Sequence, residues 1–474
     1  MKIKILSFAL AALFFTACKK ENLAPIPQTA LSDAVAFQSP ERVAQQVNGM
    51  YAAVKSGQFY GGRYIVYNEI RGEDHLNQTQ NGVTGFQTWN FTVTPTTNEV
   101  QNLWGAAYQA INRINVVLLG LETSPISDQL KNQYRGEARF LRGLSYFALV
   151  TMYGRPFWDG NGDKPGVPLY LEPQVSSGSN ERARATVAQV YTQILEDLNF
   201  AEANLPATYA NATLNTTRAH KNTAIAFKTR VYLNMRRYAD VITEANKIVP
   251  TNAPFVAPTG VQHRLEANVA NLYGASPTLG TEIIFGFPFS TLDLPGTQNS
   301  LNQYYSPSPA GNGDYSLNPS GIVANTGWRT TDARRNFIGT SGTRTILRKF
   351  TSNTDLVPII RYAEVMLNLA EALARTNGLN TRAVALLNAV RQRSDATMVL
   401  APATAQELID MILTERRIEF LGEGLRALDI MRLGLTFPAK GVAPAIAPSD
   451  AQYIWPIPLS ELLVNKAAQQ NTGY

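Results

Sequence analysis

TAQELIDMILTERRIEFLGEGLRALDIMRLG, Thr404 to Gly434, is the stretch whose reading decides the fold. Thr404 and Glu407 have the spacing of a capping box, in which a hydroxyl and a carboxylate satisfy free N–H groups at a helix start. Leu408, Met411, Ile412, Ile418, Phe420 and Leu421 follow at steps of three and four and lay a broad apolar face on one helix. Glu415, Arg416, Arg417 and Glu419 place four charges within it. Two readings stay open. One is a solvated charged side, because such residues are seldom buried unless paired. The other is a paired network that holds this helix against its neighbours. Both give the charges a structural task, not a chemical one. Gly422 and Gly424 flank Glu423 and end the helix, and a second helix restarts towards Arg432.

The order Glu415, Arg416, Arg417, Glu419, Phe420, then Gly422, Glu423, Gly424, Arg426, Asp429 and Arg432 resembles a motif of the SusD/RagB family. The chain end, Tyr453-Ile-Trp-Pro-Ile-Pro through Gln470-Asn-Thr-Gly-Tyr474, is similar to that family's closing segment. Where the family often carries an aromatic pair after the arginine, this chain has Ala427 and Leu428. The resemblance covers essentially all of the mature chain. It implies a mainly α fold of tetratricopeptide-like helical hairpins, with long loop-rich insertions and a few short strands. The expected division is an N-terminal helical domain over 39–250 and a C-terminal SusD/RagB domain over 251–474. The resemblance also implies a task. Family members are surface lipoproteins of Bacteroidetes that bind oligosaccharide or another nutrient and act as a lid over a SusC-like TonB-dependent transporter.

Working outward, the 474 residues hold ample apolar material for one large core or two abutting ones. The formal net charge is +6, and removing a leader containing Lys2 and Lys4 leaves about +4. Basic residues are spread through helices, with no nucleic-acid footprint. Residues 1–17 combine a basic start, an apolar core from Ile5 to Phe15 and small residues before Cys18, the pattern of a lipoprotein signal peptide. Cys18 is the only cysteine, so no intrachain disulfide can form. Its position predicts lipidation and an outer-membrane anchor through acyl chains. Residues 18–38, with Pro25 and Pro27, read as a tether.

Helices are expected from about Pro40 to Val54, Val100 to Leu119, Leu130 to Tyr153, Ala219 to Met235, Tyr238 to Val249, Pro358 to Thr376 and Thr381 to Arg393. A further helix is marked at its start by a Thr186/Gln189 capping box. Two long regions show no sustained helical period: Gly57 to Asn98, rich in Gly, Asn, Gln and Thr and read as a partly strand-forming loop region, and Thr251 to Ser352, rich in Pro, Gly and Asn. Loops of that length inside a compact domain are usually functional.

No enzyme motif emerges. His75, His220 and His263 lack metal-ligand spacing, and the chain has no G-x-S-x-G and no Walker loop. No cofactor or metal is expected. Glu69, Glu73 and Asp74 contain a notional glycosidase pair, but two carboxylates become a catalytic pair only at a defined separation. The loop regions instead offer rings among amides and carboxylates, which suits sugars: a ring matches an apolar C–H patch, and polar groups match hydroxyls. Tyr64, Tyr67, Phe86 and Phe91 are assigned to packing. Trp89, Tyr304, Tyr305, Tyr315 and Trp328 are assigned to ligand stacking, with Asp74, Asn77 and Arg329 as hydroxyl partners. The alternative to a glycan binder is a lipid-anchored helical-repeat scaffold that binds proteins and no sugar.

Overall fold

The computed structural model describes residues 35–174 and 180–474. Cys18, the leader and the tether up to residue 34 lie outside the described residues.

Helical hairpins build the body. Asn98–Thr123 and Asp128–Tyr153 lie side by side, and Val187–Asn204 covers the second of them. Ser127 caps the middle helix by accepting from the Leu130 N–H, and the Thr186/Gln189 box forms in full. The stack continues through Lys221–Asn234 with Tyr238–Ala245, then Tyr362–Asn377 with Thr381–Ser394, and ends on Ala405–Glu419. Each hairpin covers its apolar stripe only by stacking on the next, as tetratricopeptide-like repeats do. Phe140, Phe147 and Phe227 meet edge to face where successive hairpins cross, with centroids 5.3 and 6.0 Å apart.

Two local expectations need correction. Gly57 to Asn98 is not loop throughout: Arg63–Ile70 is a helix buried on every side. A helix with no solvent face has no amphipathic period, so its sequence carries no such signal. Val357–Arg361 is a strand, paired antiparallel with Ile283–Phe287, and the helix expected from Pro358 starts at Tyr362. The apolar run of this strand flows without a break into the helix, and the periods blur. Two further two-stranded ladders join His75–Asn77 to Tyr315–Leu317 and Ile338–Ser341 to Arg344–Leu347.

The charged helix is a paired network. Glu415 and Glu419 are fully buried. Arg334 donates to both, at 2.6 and 2.8 Å, and Arg391 donates to Glu415 at 2.6 Å. Arg361 reaches Glu419 and Glu423, and Arg393 reaches Glu419 and Glu282. Arg416 and Arg432 share Asp429, while Arg432 also forks onto Glu371 at 2.7 and 2.6 Å. Burial alone would raise the Glu423 pKa, but Arg361 and Lys349 bring it down to about 2. Thr404 caps the Glu407 N–H, but the Glu407 carboxylate turns to the Ala403 N–H, one residue before the expected partner.

Candidate functional site

The two glycines of the motif tie this network to the N-terminal half. Gly422 and Gly424 have positive φ, +84° and +75°, and aim their N–H groups at the two carboxylate oxygens of Glu69, both at 2.9 Å. A side chain at Gly424 would run into the Ile65 backbone. Beside Glu69, Glu73 pairs with Arg426 and Asp74 with Arg417. All three carboxylates of the notional catalytic set therefore carry structural partners. Burial pushes Glu69 up to about 7 despite its two N–H donors.

Around this junction the chain gathers most of the residues expected at a site. Asn77 lies opposite Tyr315 in the ladder, and Tyr304 stacks beside Tyr315 at 6.2 Å. Tyr305 lies 5.2 Å from the His75 ring. The Trp89 indole donates to the His75 carbonyl at 2.8 Å. Asp74 also accepts from the Ile322 N–H, and Asn77 from the N–H groups of Thr79 and Gln80. Trp328 and Arg329 sit on the following loop, where Arg335 lies 4.1 Å over the Trp328 ring and Arg329 forks onto Asp395.

These rings are brought together but not presented. Trp89, Trp328, Tyr304, Tyr305 and Tyr315 are all no more than 3% exposed, as are Tyr64 and Tyr67, and Phe91 is also buried. Lys440 shows why the knot is closed. Its ammonium is buried and donates to the carbonyls of Ile70, Arg71 and Gly72, the free end of the Arg63–Ile70 helix. It also lies 5.1 Å over Phe91 and 5.8 Å over Trp89. A loop from the C-terminal half thus covers Trp89 and Phe91. The expected stacking set is a packing set in this geometry.

Open surface with the chemistry expected of a sugar site lies elsewhere. A cleft of 630 Å³ is lined by Tyr108, Asn112, Tyr170, Gln174, Glu181 and Glu461, among others. Tyr108 and Tyr170 meet edge to face at 5.6 Å. Their hydroxyls are tied down, Tyr108 to the Pro168 carbonyl and Tyr170 to the Asn180 carbonyl, both at 2.8 Å. Asn112 exchanges two bonds with the Gln174 backbone, at 3.1 and 2.6 Å. Asn465, buried at the floor, donates to Glu461 at 2.7 Å. Rings fixed at this angle, with amides and carboxylates around them, can meet both an apolar sugar face and its hydroxyls. Sequence reading missed this cleft. The available signal was Tyr108, an aromatic residue off the Leu103, Ala107, Ala110 and Ile114 stripe of its helix.

Comparisons place this architecture. Residues 23–233 match a family model described as starch-binding associating with outer membrane, and residues 217–474 match the model of the SusD family. The chain belongs to the SusD family. A crystal structure of a SusD superfamily protein from Bacteroides fragilis superposes with a TM-score of 0.82 at 33% identity, covering 92% of this chain and 100% of that one. SusD-like protein P2 of Formosa agariphila is 26% identical over the full length of both chains. A laminarin-binding SusD-like protein superposes with a TM-score of 0.75 at 24% identity, over 92% of this chain and 100% of its own. Among the described residues no helix is long and apolar enough to cross a membrane.

Proposed function

We propose that this protein captures an oligosaccharide at the outer-membrane surface and passes it to a SusC-like TonB-dependent transporter. The observation that carries the reading is the open cleft between Tyr108 and Tyr170, whose rings are held by hydroxyl bonds and flanked by amides and carboxylates. The match of residues 23–233 to a family model described as starch-binding, and a laminarin-binding SusD-like protein of the same fold, support a saccharide as the ligand. Lipidation of Cys18 would hold the cleft at the membrane, where two or more acyl chains give stable attachment and one alone is marginal.

Isothermal titration against a panel of polysaccharides tests the ligand class. Tyr170→Ala should weaken binding about ten-fold while leaving the melting temperature close to that of the parent. Unchanged affinity in both Tyr170→Ala and Tyr108→Ala would move the site away from this cleft. Binding to no glycan, with recovery of a soluble protein partner, would favour the scaffold reading. Purification from native membranes in mild detergent should bring down a large β-barrel protein. Cys18→Ala should release the protein from membranes or leave it unprocessed.

A further inference from the structure

A second cleft, of 550 Å³, is lined in part by residues 470–473 of the C-terminal tail and has the opposite electrostatic character. Its lining includes Arg155, Lys164 and Arg184 with one carboxylate, Asp159. Asp159 is already engaged, accepting from Arg155 at 2.7 Å. Arg184 sets the field. Its guanidinium donates to the carbonyls of Gly166 at 2.7 Å, Pro165 at 3.0 Å and Gln469 at 3.0 Å, and to the Asn471 side-chain oxygen at 2.8 Å. All four acceptors are neutral, and no ion pair is formed by Arg184 among the described residues. Burial lowers its pKa to about 10, so it stays charged at neutral pH without a counter-ion. A partly buried cation fixed by neutral oxygens attracts an anion far more than a solvated lysine does. Lys164 supplies a second positive charge from the rim, where it is exposed.

The two clefts have no lining residue in common, but both draw on the same two segments, 180–184 and 461–473. Asn465 in the first holds the Arg182 backbone through two bonds, and Asn471 in the second holds Arg184, two residues on. One glycan lying along the tail can therefore meet aromatic rings at one end and uncompensated cations at the other. We propose that the second cleft takes the anionic substituent, a carboxylate or sulfate ester, of an acidic sugar, so that the ligand of this protein is an acidic polysaccharide. The proposal rests on the glycan-binding reading above.

The test compares an oligogalacturonide with its carboxyl-reduced, neutral counterpart of equal length, using the full mature protein. The acidic form should bind about ten-fold tighter or better, and added salt should shrink the preference, because screening weakens the attraction. Lys164→Ala, an exposed change that leaves the tail anchored, should lower the preference about three-fold without changing the melting temperature. Arg184→Gln should lower it further, and its melting temperature separates lost binding from lost folding. Equal affinity for the two forms, or a preference unchanged in Lys164→Glu, would overturn the proposal while leaving the glycan reading intact if the neutral form binds. Binding of other, neutral glycans with none of either galactose form would also overturn it and keep that reading. Thermal protection by free sulfate with no gain from the sugar acid would assign the cleft to an inorganic anion and overturn it too.

Discussion

Arg417 clamps Asp74 through two parallel N–H···O bonds, 2.6 and 2.5 Å long, across 343 positions of sequence. Asp74 is only 1% exposed in its side chain, and Arg417 is 22% exposed. The pair fastens the short His75–Asn77 ladder to the charged helix. Removing the arginine strands a buried carboxylate, which typically costs about 3–5 kcal/mol. Arg417→Ala should therefore lower stability by that order. Asp74→Asn in the same chain should recover part of the loss, since an amide still accepts from the Ile322 N–H and carries no charge. Chemical denaturation of the two single variants and the double variant measures this, and a double variant no better than Arg417→Ala would disprove the stranded-charge account.

Trp89 and Trp328 answer to packing in this geometry. Each change to Ala should lower stability by about 3–5 kcal/mol. Trp89→Phe should lose less, but it forfeits the indole bond to the His75 carbonyl. Calorimetric melting with glycan titration below the melting range separates the alternatives. Lost affinity at full stability would return these rings to the ligand.

Glu99 gives a pH signature of its own. It is buried, with one oxygen accepting from the Thr88 N–H at 3.0 Å and from the Thr88 hydroxyl, while its other oxygen has no partner. Burial raises its pKa from 4.5 to about 7. Between those values the folded state holds a proton that the unfolded state has released. Stability must therefore fall as pH rises from about 4.5 to about 7, then level off. The shift corresponds to about 3 kcal/mol. Glu99→Gln keeps one acceptor and never ionises, so it should match the parent near pH 4.5 and exceed it above pH 7. A stability difference that does not vary with pH would refute this.

The histidines act in the reverse sense. His220 and His263 stack at 5.2 Å in the core, and burial lowers them to about 3 and about 4. Below pH 6.5 the unfolded chain binds protons that the folded chain refuses, so their effect is a loss of stability as pH falls from 6.5 towards 4. His263→Gln, which cannot take up a proton in that range, should unfold with a flatter acid limb. Equal slopes in parent and variant would count against it.

Much of this architecture can be read from residues. Thr186 and Gln189 announce a helix start, and the stripe Leu103, Ala107, Ala110 and Ile114 announces its helix because that helix has a wet side and a dry side. Arg63–Ile70 does not, because tertiary contacts cover it all round. The charges of Glu415 and Glu419 left two readings open, because their partners Arg334, Arg361, Arg391 and Arg393 come from other elements. At the candidate site, gathering was legible and exposure was not. Asn77, Tyr304 and Tyr315 do meet, and Trp89 bonds to nearby His75, but covers distant in sequence, such as Lys440 over Trp89, decide whether a ring faces water. Tyr170 sits in a connector whose prolines and glycines say turn, and only folding sets it beside Tyr108.

The tail contacts have a consequence for the order of synthesis. The Trp455 N–H donates to the Met152 carbonyl, the Leu459 N–H to the Pro95 carbonyl, and the Asn471 amide to the Tyr153 carbonyl. Trp455 also packs against Tyr153 edge to face. Residues 95–153 emerge from the ribosome hundreds of positions before their covers do. Until Trp455 and Asn471 have been polymerised, this underside stays uncovered, and a nascent or truncated chain displays Tyr153 and Trp104 to any chaperone or protease. A product that stops short of Trp455 keeps an uncovered apolar flank, the kind of surface that makes incompletely folded chains prone to aggregate.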